Sequence, residues 1–180
     1  ARGVYGQRQA GVQMVRIKLP FGKVTSEQLH RIADVSDEYS TGRLHITTRQ
    51  DIQIHYVSLD RTPELWAQLE KDDITLREAC GNTVRNITAS PTAGIDVDEP
   101  FDVSPYADAA FRFFLRNPIC QEMGRKFKIA FSFTNFDIAK VHQNLCVRKS
   151  FLLKRFHLNN IPNSLRYMGN PIFFRSTLYL

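Results

Sequence analysis

The chain has 180 residues, 43% of them hydrophobic, and a formal net charge of +6. That is enough apolar sequence for one or two packed domains, and no run of about 18 apolar residues is present to span a membrane. Residues 1–132 hold 17 Lys and Arg against 17 Asp and Glu, so the whole excess lies in the last 48 residues, where Asp137 is the single acid. A nucleic-acid binder carries its basic excess on the folded domain, so nucleic acid is not the expected partner. Three cysteines (Cys80, Cys120 and Cys146), at spacings of 40 and 26, form neither a disulfide framework nor a zinc pattern. They read as reduced thiols in the cytoplasm. The five histidines show no close pairing, and no metal site is expected from these side chains. The opening Ala1-Arg2-Gly3-Val4, with no initiator Met and no signal-like apolar core, reads as a chain entered mid-sequence.

Past a Gly-containing lead (Gly3, Gly6, Gly11), residues 12–19 alternate as a strand, with Val15, Ile17 and Leu19 on one face and Met14, Arg16 and Lys18 on the other. Pro20-Phe21-Gly22 ends it. Thr25 followed three residues later by Gln28 predicts a capping box, and Leu29, Ile32, Ala33 and Ser36 space a helix to about Tyr39. Residues 42–57 then read as two short strands meeting at Thr48-Arg49-Gln50. Leu44 and Ile46 alternate with Arg43, His45 and Thr47; Ile52, Ile54 and Tyr56 alternate with Gln53 and His55. The result is a β-α-β-β unit, half of a ferredoxin-like split fold.

Thr62-Pro63 predicts a helix start, with Leu65, Trp66 and Leu69 as its buried side. Residues 79–88 are short and polar around Arg85, and Ala89 to Pro105 is loop-like. Ser104-Pro105 opens another helix lined by Ala107, Ala110, Phe111 and Phe114. Residues 125–131 read as a strand, with Lys126 and Lys128 sharing one face and Phe127 and Ile129 the other. A helix fits 137–145, and the stretch from Val147 onward has no clear period.

Four segments place cations on an apolar, strand-like frame: residues 14–20, 42–57, 82–88 and 124–130. Converging, they would build an anion-attracting surface. Taken singly, Arg16 with Lys18, or Lys126 with Lys128, also suit a solvated strand face, and Arg49 at a turn also suits bonding to loop carbonyls.

The segments VRIKLPFG (15–22), LHITTRQDIQIH (44–55), GNTVRNIT (81–88) and PICQEMGRKFKIAFS (118–132), in that order, resemble the sulfite and nitrite reductases that use siroheme and a [4Fe-4S] cluster. The resemblance implies an α+β fold. Residues 1–61 would be a ferredoxin-like half-domain, residues 62–132 a linker helix and the start of a siroheme/[4Fe-4S] domain, and residues 133–180 a divergent basic tail. It implies six-electron reduction of sulfite to sulfide or nitrite to ammonia, with ferredoxin or a flavoprotein as electron donor. Siroheme carries eight carboxylates, and burying them requires cationic partners. By resemblance, Arg16, Arg85, Lys126 and Lys128 match the substrate-binding and proton-delivery positions. Thr47, Arg49, Gln50 and Asn86 match siroheme-contacting positions, as does His45, which sits where some relatives carry Arg. The family's cluster cysteines, spaced C-x5-C and later C-x3-C, have no counterpart in this sequence, and neither has the Gly-rich continuation after residue 132. The chain is therefore expected to be part of a reductase without its cluster ligands. A second reading is a non-catalytic fragment or binding module whose basic tail (Arg148, Lys149, Lys154, Arg155, Arg166, Arg175) contacts nucleic acid or an acidic partner.

Overall fold

The computed structural model describes residues 3–132 and, by backbone alone, two further strands at Leu145–Val147 and Phe174–Ser176. The helix expected over 137–145 lies outside the described residues except for Leu145, which opens a strand. Most of the basic tail also lies outside them.

The alternation of residues 12–19 produces β2 (Val12–Ile17), at the centre of an antiparallel sheet ordered β1-β2-β4-β3. Its companions are β1 (Val4–Gly6), β3 (Leu44–Ile46) and β4 (Ile52–Ser58). β1 was not expected from the Gly-rich lead; it forms because Val4 and Tyr5 pair with Val15 and Met14. One face of this sheet buries Val15, Ile17, Leu19, Ile52 and Ile54 against α1 (Ser26–Tyr39) and α2 (Thr62–Glu70). The capping box opens α1: Thr25 Oγ1 accepts from the Gln28 backbone N–H (3.2 Å), and the Gln28 side chain accepts from the Thr25 N–H (3.1 Å). Its buried stripe is Ile32, Val35, Ser36 and Tyr39, so Leu29 and Ala33, expected to line it, face outward. Leu65 and Leu69 of α2 complete this core together with Ile74 and Leu76.

Two expectations about the strand pair are corrected. Tyr56 does not share the buried face of Ile52 and Ile54. The register steps from Val15–Ile54 to Gln13–Val57, which inserts one extra residue into β4, and Tyr56 takes a left-handed φ of 62° there. Val57 then enters the core in its place. Leu44 and Ile46 are not covered either: β3 is a three-residue edge strand, and Ile46 is 76% exposed.

The second sheet is ordered β5-β6-β7-β8. β5 (Val84–Thr88) and β6 (Phe127–Phe131) run parallel, β6 and β7 (Leu145–Val147) parallel, and β7 and β8 (Phe174–Ser176) antiparallel. The stretch expected to be short and polar is thus a fully buried strand. Of its polar side chains, Asn86 donates across the junction to the carbonyls of Leu19 and Arg49, and Arg85 turns to the Gly81 carbonyl, which offsets part of their desolvation. α3 (Ser104–Phe114) packs Ala107 and Phe111 on Val84, Ile87 and Ile129.

Candidate anion-binding site

The face opposite the core carries Arg16 of β2 with Lys18 just after the strand, and Gln53 of β4 with Asp51 just before it. The register sets Arg16 opposite Gln53, and continuing it by one residue on each side of Ile17–Ile52 brings Lys18 to Asp51. This polar face meets the second sheet. Lys18 is therefore not solvated: it is 2% exposed, its Nζ lies 3.3 Å from Glu78 Oε2, and it also donates to the Val84 carbonyl at 3.3 Å. Glu78, equally buried, accepts through Oε1 from the Arg116 N–H and the Gln121 amide, both at 2.7 Å. Burial lowers the Lys18 pKa despite this partner. Sequence spacing cannot reveal a pair 60 residues apart, and both residues were missed as anchors.

Arg16 is half-buried. Its guanidinium donates to the Gln53 side-chain oxygen from Nε (2.9 Å) and Nη2, and the Gln53 amide donates to His45 Nδ1 (3.1 Å). His45 itself is exposed at the sheet edge, where its ring stacks on His55 at 5.9 Å and 19°. The two histidines thus do pair, contrary to expectation, because adjacent strands bring together residues ten apart. Burial, then His45, lowers the His55 pKa.

The turn between β3 and β4 is shaped by Thr47, whose Oγ1 accepts from the backbone N–H groups of Arg49 and Asp51 (both 3.2 Å). Gln50, in a left-handed conformation (φ 56°), lays its amide along β5's exit, donating to the Ala89 carbonyl (2.8 Å) and accepting from the Ala89 N–H (3.2 Å). Arg49 donates to the carbonyls of Asn86 and Ile129. Asn86 Nδ2 donates to those of Leu19 (2.6 Å) and Arg49 (2.9 Å). Gln50 and Asn86 therefore join the two units, Thr47 shapes the turn from which Gln50 reaches across, and Arg49 combines the joining task with its charge.

A second bulge lies in β5. Val84 pairs with Phe127 and Ile87 with Ile129, so three residue steps oppose two, and the extra residue falls at Arg85–Asn86. Arg85 reaches the Gly81 carbonyl at 3.4 Å, while Asn86 turns to Leu19 and Arg49. Lys126 is exposed just before β6, and Lys128 is half-buried within it.

The five cations are close enough to perturb one another. Burial pushes the Arg49 guanidinium down to about 10; the pull of Asp51 opposes this, and repulsion from Arg85 and Arg16 adds to it. Burial, then Arg49, Lys126 and Arg85, lower the Lys128 pKa. The Asp51 carboxyl, 1% exposed, is pushed up to about 6 by burial, against the pull of Arg16, Arg49 and Lys18. Arg16, Arg49, Arg85 and Lys128 thus gather where the two sheets meet, with the exposed Lys126 next to Lys128 and His45 at the sheet edge.

The junction sets cations between a four-stranded antiparallel sheet carrying two helices and a mixed sheet. Residues 5–72 match the nitrite/sulfite reductase ferredoxin-like half domain, and residues 80–144 the nitrite and sulphite reductase 4Fe-4S domain. The chain is 36% identical over 140 residues to an assimilatory ferredoxin-dependent nitrite reductase of Haloferax mediterranei, covering 71% of this chain and 24% of that one. It is 31% identical over 119 residues to a ferredoxin sulfite reductase of Mycolicibacterium paratuberculosis, covering 66% of this chain and 21% of that one. The NirA protein of Mycobacterium tuberculosis superposes with a TM-score of 0.76 at 25% identity, over 82% of this chain and 30% of that chain. The chain belongs to the siroheme- and [4Fe-4S]-dependent nitrite and sulfite reductase family. It spans about a quarter or less of the length of these curated relatives.

The residues present suit one of the family's two cofactors. These cations match the donor set that a polycarboxylate such as siroheme requires. For the cluster, Cys80 and Cys120 are buried thiols whose pKa burial raises, and no group of three or more His, Cys, Asp or Glu that could hold a metal ion occurs among the described residues. The described residues do not fit a [4Fe-4S] ligand set.

Proposed function

We propose that this chain is the part of a nitrite or sulfite reductase that supplies the cationic wall facing siroheme and its oxyanion substrate. The reaction is six-electron reduction of nitrite to ammonia or sulfite to sulfide, in the cytoplasm, with ferredoxin as donor. Siroheme, when bound, supplies the iron at which the electrons reach the oxyanion. Arg49, with Thr47, Gln50 and Asn86 setting its turn against β5, pairs with the cofactor's carboxylates. Arg16 and Arg85 offer fixed, permanently charged N–H groups to the oxyanion. Lys126 and Lys128 hold protons at Nζ, and burial, then crowding by neighbouring cations, makes the Lys128 proton easier to give up.

The observation that carries this reading is the gathering of Arg16, Arg49, Arg85 and Lys128, drawn from four segments across 112 residues of chain, at the junction of two sheets. Titration of the chain with siroheme, followed by visible absorption, tests it. Stoichiometric binding, weakened when Arg49 and Arg85 are both changed to Ala, is the expected result. No binding by a chain with native circular dichroism means that the wall is not assembled, and the reading fails.

A further inference from the structure

Asp51, like Glu78, is a buried acid of this junction that the proposed chemistry does not use, but unlike Glu78 it lacks a salt-bridge partner among the described residues. It is 1% exposed and lies just before β4, two residues after Arg49, on the face that meets the second sheet and carries Arg16 and Lys18. The Leu19 backbone N–H donates to its carboxylate, yet Oδ1 has no hydrogen-bond partner among the described residues. A buried carboxylate oxygen left so is costly unless charge compensates it. The compensation comes from cations on two elements: Arg16 and Lys18 on β2, and Arg49 at the turn. Lys18 is already matched by Glu78. Arg85 of β5 and Lys128 of β6 stand beyond Arg49 and add positive charge around it. Arg16 and Arg49 therefore serve two anions: Asp51 from within the sheet, and whatever enters the junction from outside.

We propose that Asp51 is a proton-taking counter-charge for Arg16 and Arg49. With the site empty the carboxylate offsets the charge of the two guanidinium groups, which Gln53 and the carbonyls of Asn86 and Ile129 hold in place; when an external oxyanion engages them, Asp51 takes up a proton from solvent and returns it when the anion leaves. The inference rests on the functional reading above. Its physical cause is linkage: an incoming anion removes the positive potential that keeps a buried carboxylate ionised, so binding and protonation favour each other. The setting of the group agrees, since burial pushes this carboxyl up to about 6 even against the pull of Arg16, Arg49 and Lys18. Asp51 acts through the arginines and is a positioning residue.

The experiment compares the full chain with Asp51→Asn, a near-isosteric change that cannot titrate. Isothermal titration calorimetry with inorganic sulfate, and separately with siroheme, is run at pH 6.5 in two buffers of different ionisation enthalpy and repeated from pH 5.5 to 7.5. The wild-type chain should take up a fraction of a proton per anion bound, and its affinity should fall about tenfold across that range. Asp51→Asn should take up none and bind with a flat pH profile. Uptake with sulfate places Asp51 behind the substrate oxyanion, and uptake with siroheme alone places it behind the cofactor carboxylates. Binding with identical proton uptake and pH dependence in both proteins overturns the inference and leaves the functional reading standing. Failure of the folded wild-type chain to bind either anion overturns both. If Asp51→Asn does not fold, the wild-type Asp51 carboxyl carbon is followed by NMR instead; its titration midpoint must rise when anion is added, and a fixed midpoint overturns the inference.

Discussion

Arg49 and Asn86 hold each other reciprocally. The Arg49 guanidinium donates to the Asn86 carbonyl, and the Asn86 amide donates back to the Arg49 carbonyl at 2.9 Å. Thirty-seven residues separate them, and they belong to different sheets. This exchange fixes the cationic turn on the strand that carries Arg85.

Asn86→Ala removes both donors and leaves the carbonyls of Leu19 and Arg49 short of partners in a dry junction. The expected loss is about 2–3 kcal/mol, read from the urea midpoint. Siroheme affinity should fall together with stability, because the turn loses the amide that holds the Arg49 carbonyl, although the guanidinium keeps the main-chain carbonyls of Asn86 and Ile129. Unchanged siroheme binding in a destabilised Asn86→Ala chain would separate the joint from the site.

The Lys18–Glu78 pair should behave as a buried ion pair does. Lys18→Met strands the Glu78 charge at 2% exposure and should cost about 3–5 kcal/mol. Adding Glu78→Gln removes that charge while keeping an acceptor for the Arg116 N–H, and should recover a large part of the loss. Equal and additive losses in the double-mutant cycle would show that the two residues act independently.

Stability should respond to acid through Asp51. Its folded carboxyl titrates at about 6, against 3.8 for the ordinary group, so the folded state binds the proton more tightly than the unfolded chain does. The stabilising contribution is complete below pH 3.8 and is lost as pH rises through 6. A shift of that size corresponds to about 3 kcal/mol. Asp51→Asn should therefore gain on the wild-type chain between pH 4 and 7 in chemical denaturation. A parallel pair of stability curves would refute it.

Thr25→Ala is the contrasting case. The capping box of α1 lies on the far side of the first core, so its loss should lower stability by about 1 kcal/mol and leave siroheme binding as it was.

Local grammar made much of the fold legible. The Thr25–Gln28 box and the Thr62-Pro63 and Ser104-Pro105 starts gave helices where they are found, because each signal acts within one turn of chain. The alternation of Val15, Ile17 and Leu19 named the buried face of β2 for the same reason. What escaped was set by contacts distant in sequence. The burial of Lys18 depends on Glu78, 60 residues on, and the pairing of His45 with His55 depends on strand register. The bulge at Tyr56 hides because a single extra residue shifts the period without changing composition. Asp51, buried at 1%, sits in the middle of a motif quoted for its arginine, and nothing local marks it as enclosed.

The joint between the two sheets is written almost wholly to main-chain atoms. Lys18, Arg49, Gln50 and Asn86 reach the carbonyls of Val84, Asn86, Ile129, Ala89, Leu19 and Arg49. A partner recognised by its peptide group can change its side chain without breaking the bond. Substitution among apolar residues at Leu19, Val84 and Ile129 is then limited only by packing volume, and the joint passes intact through sequence drift that would dismantle one made of matched side-chain pairs.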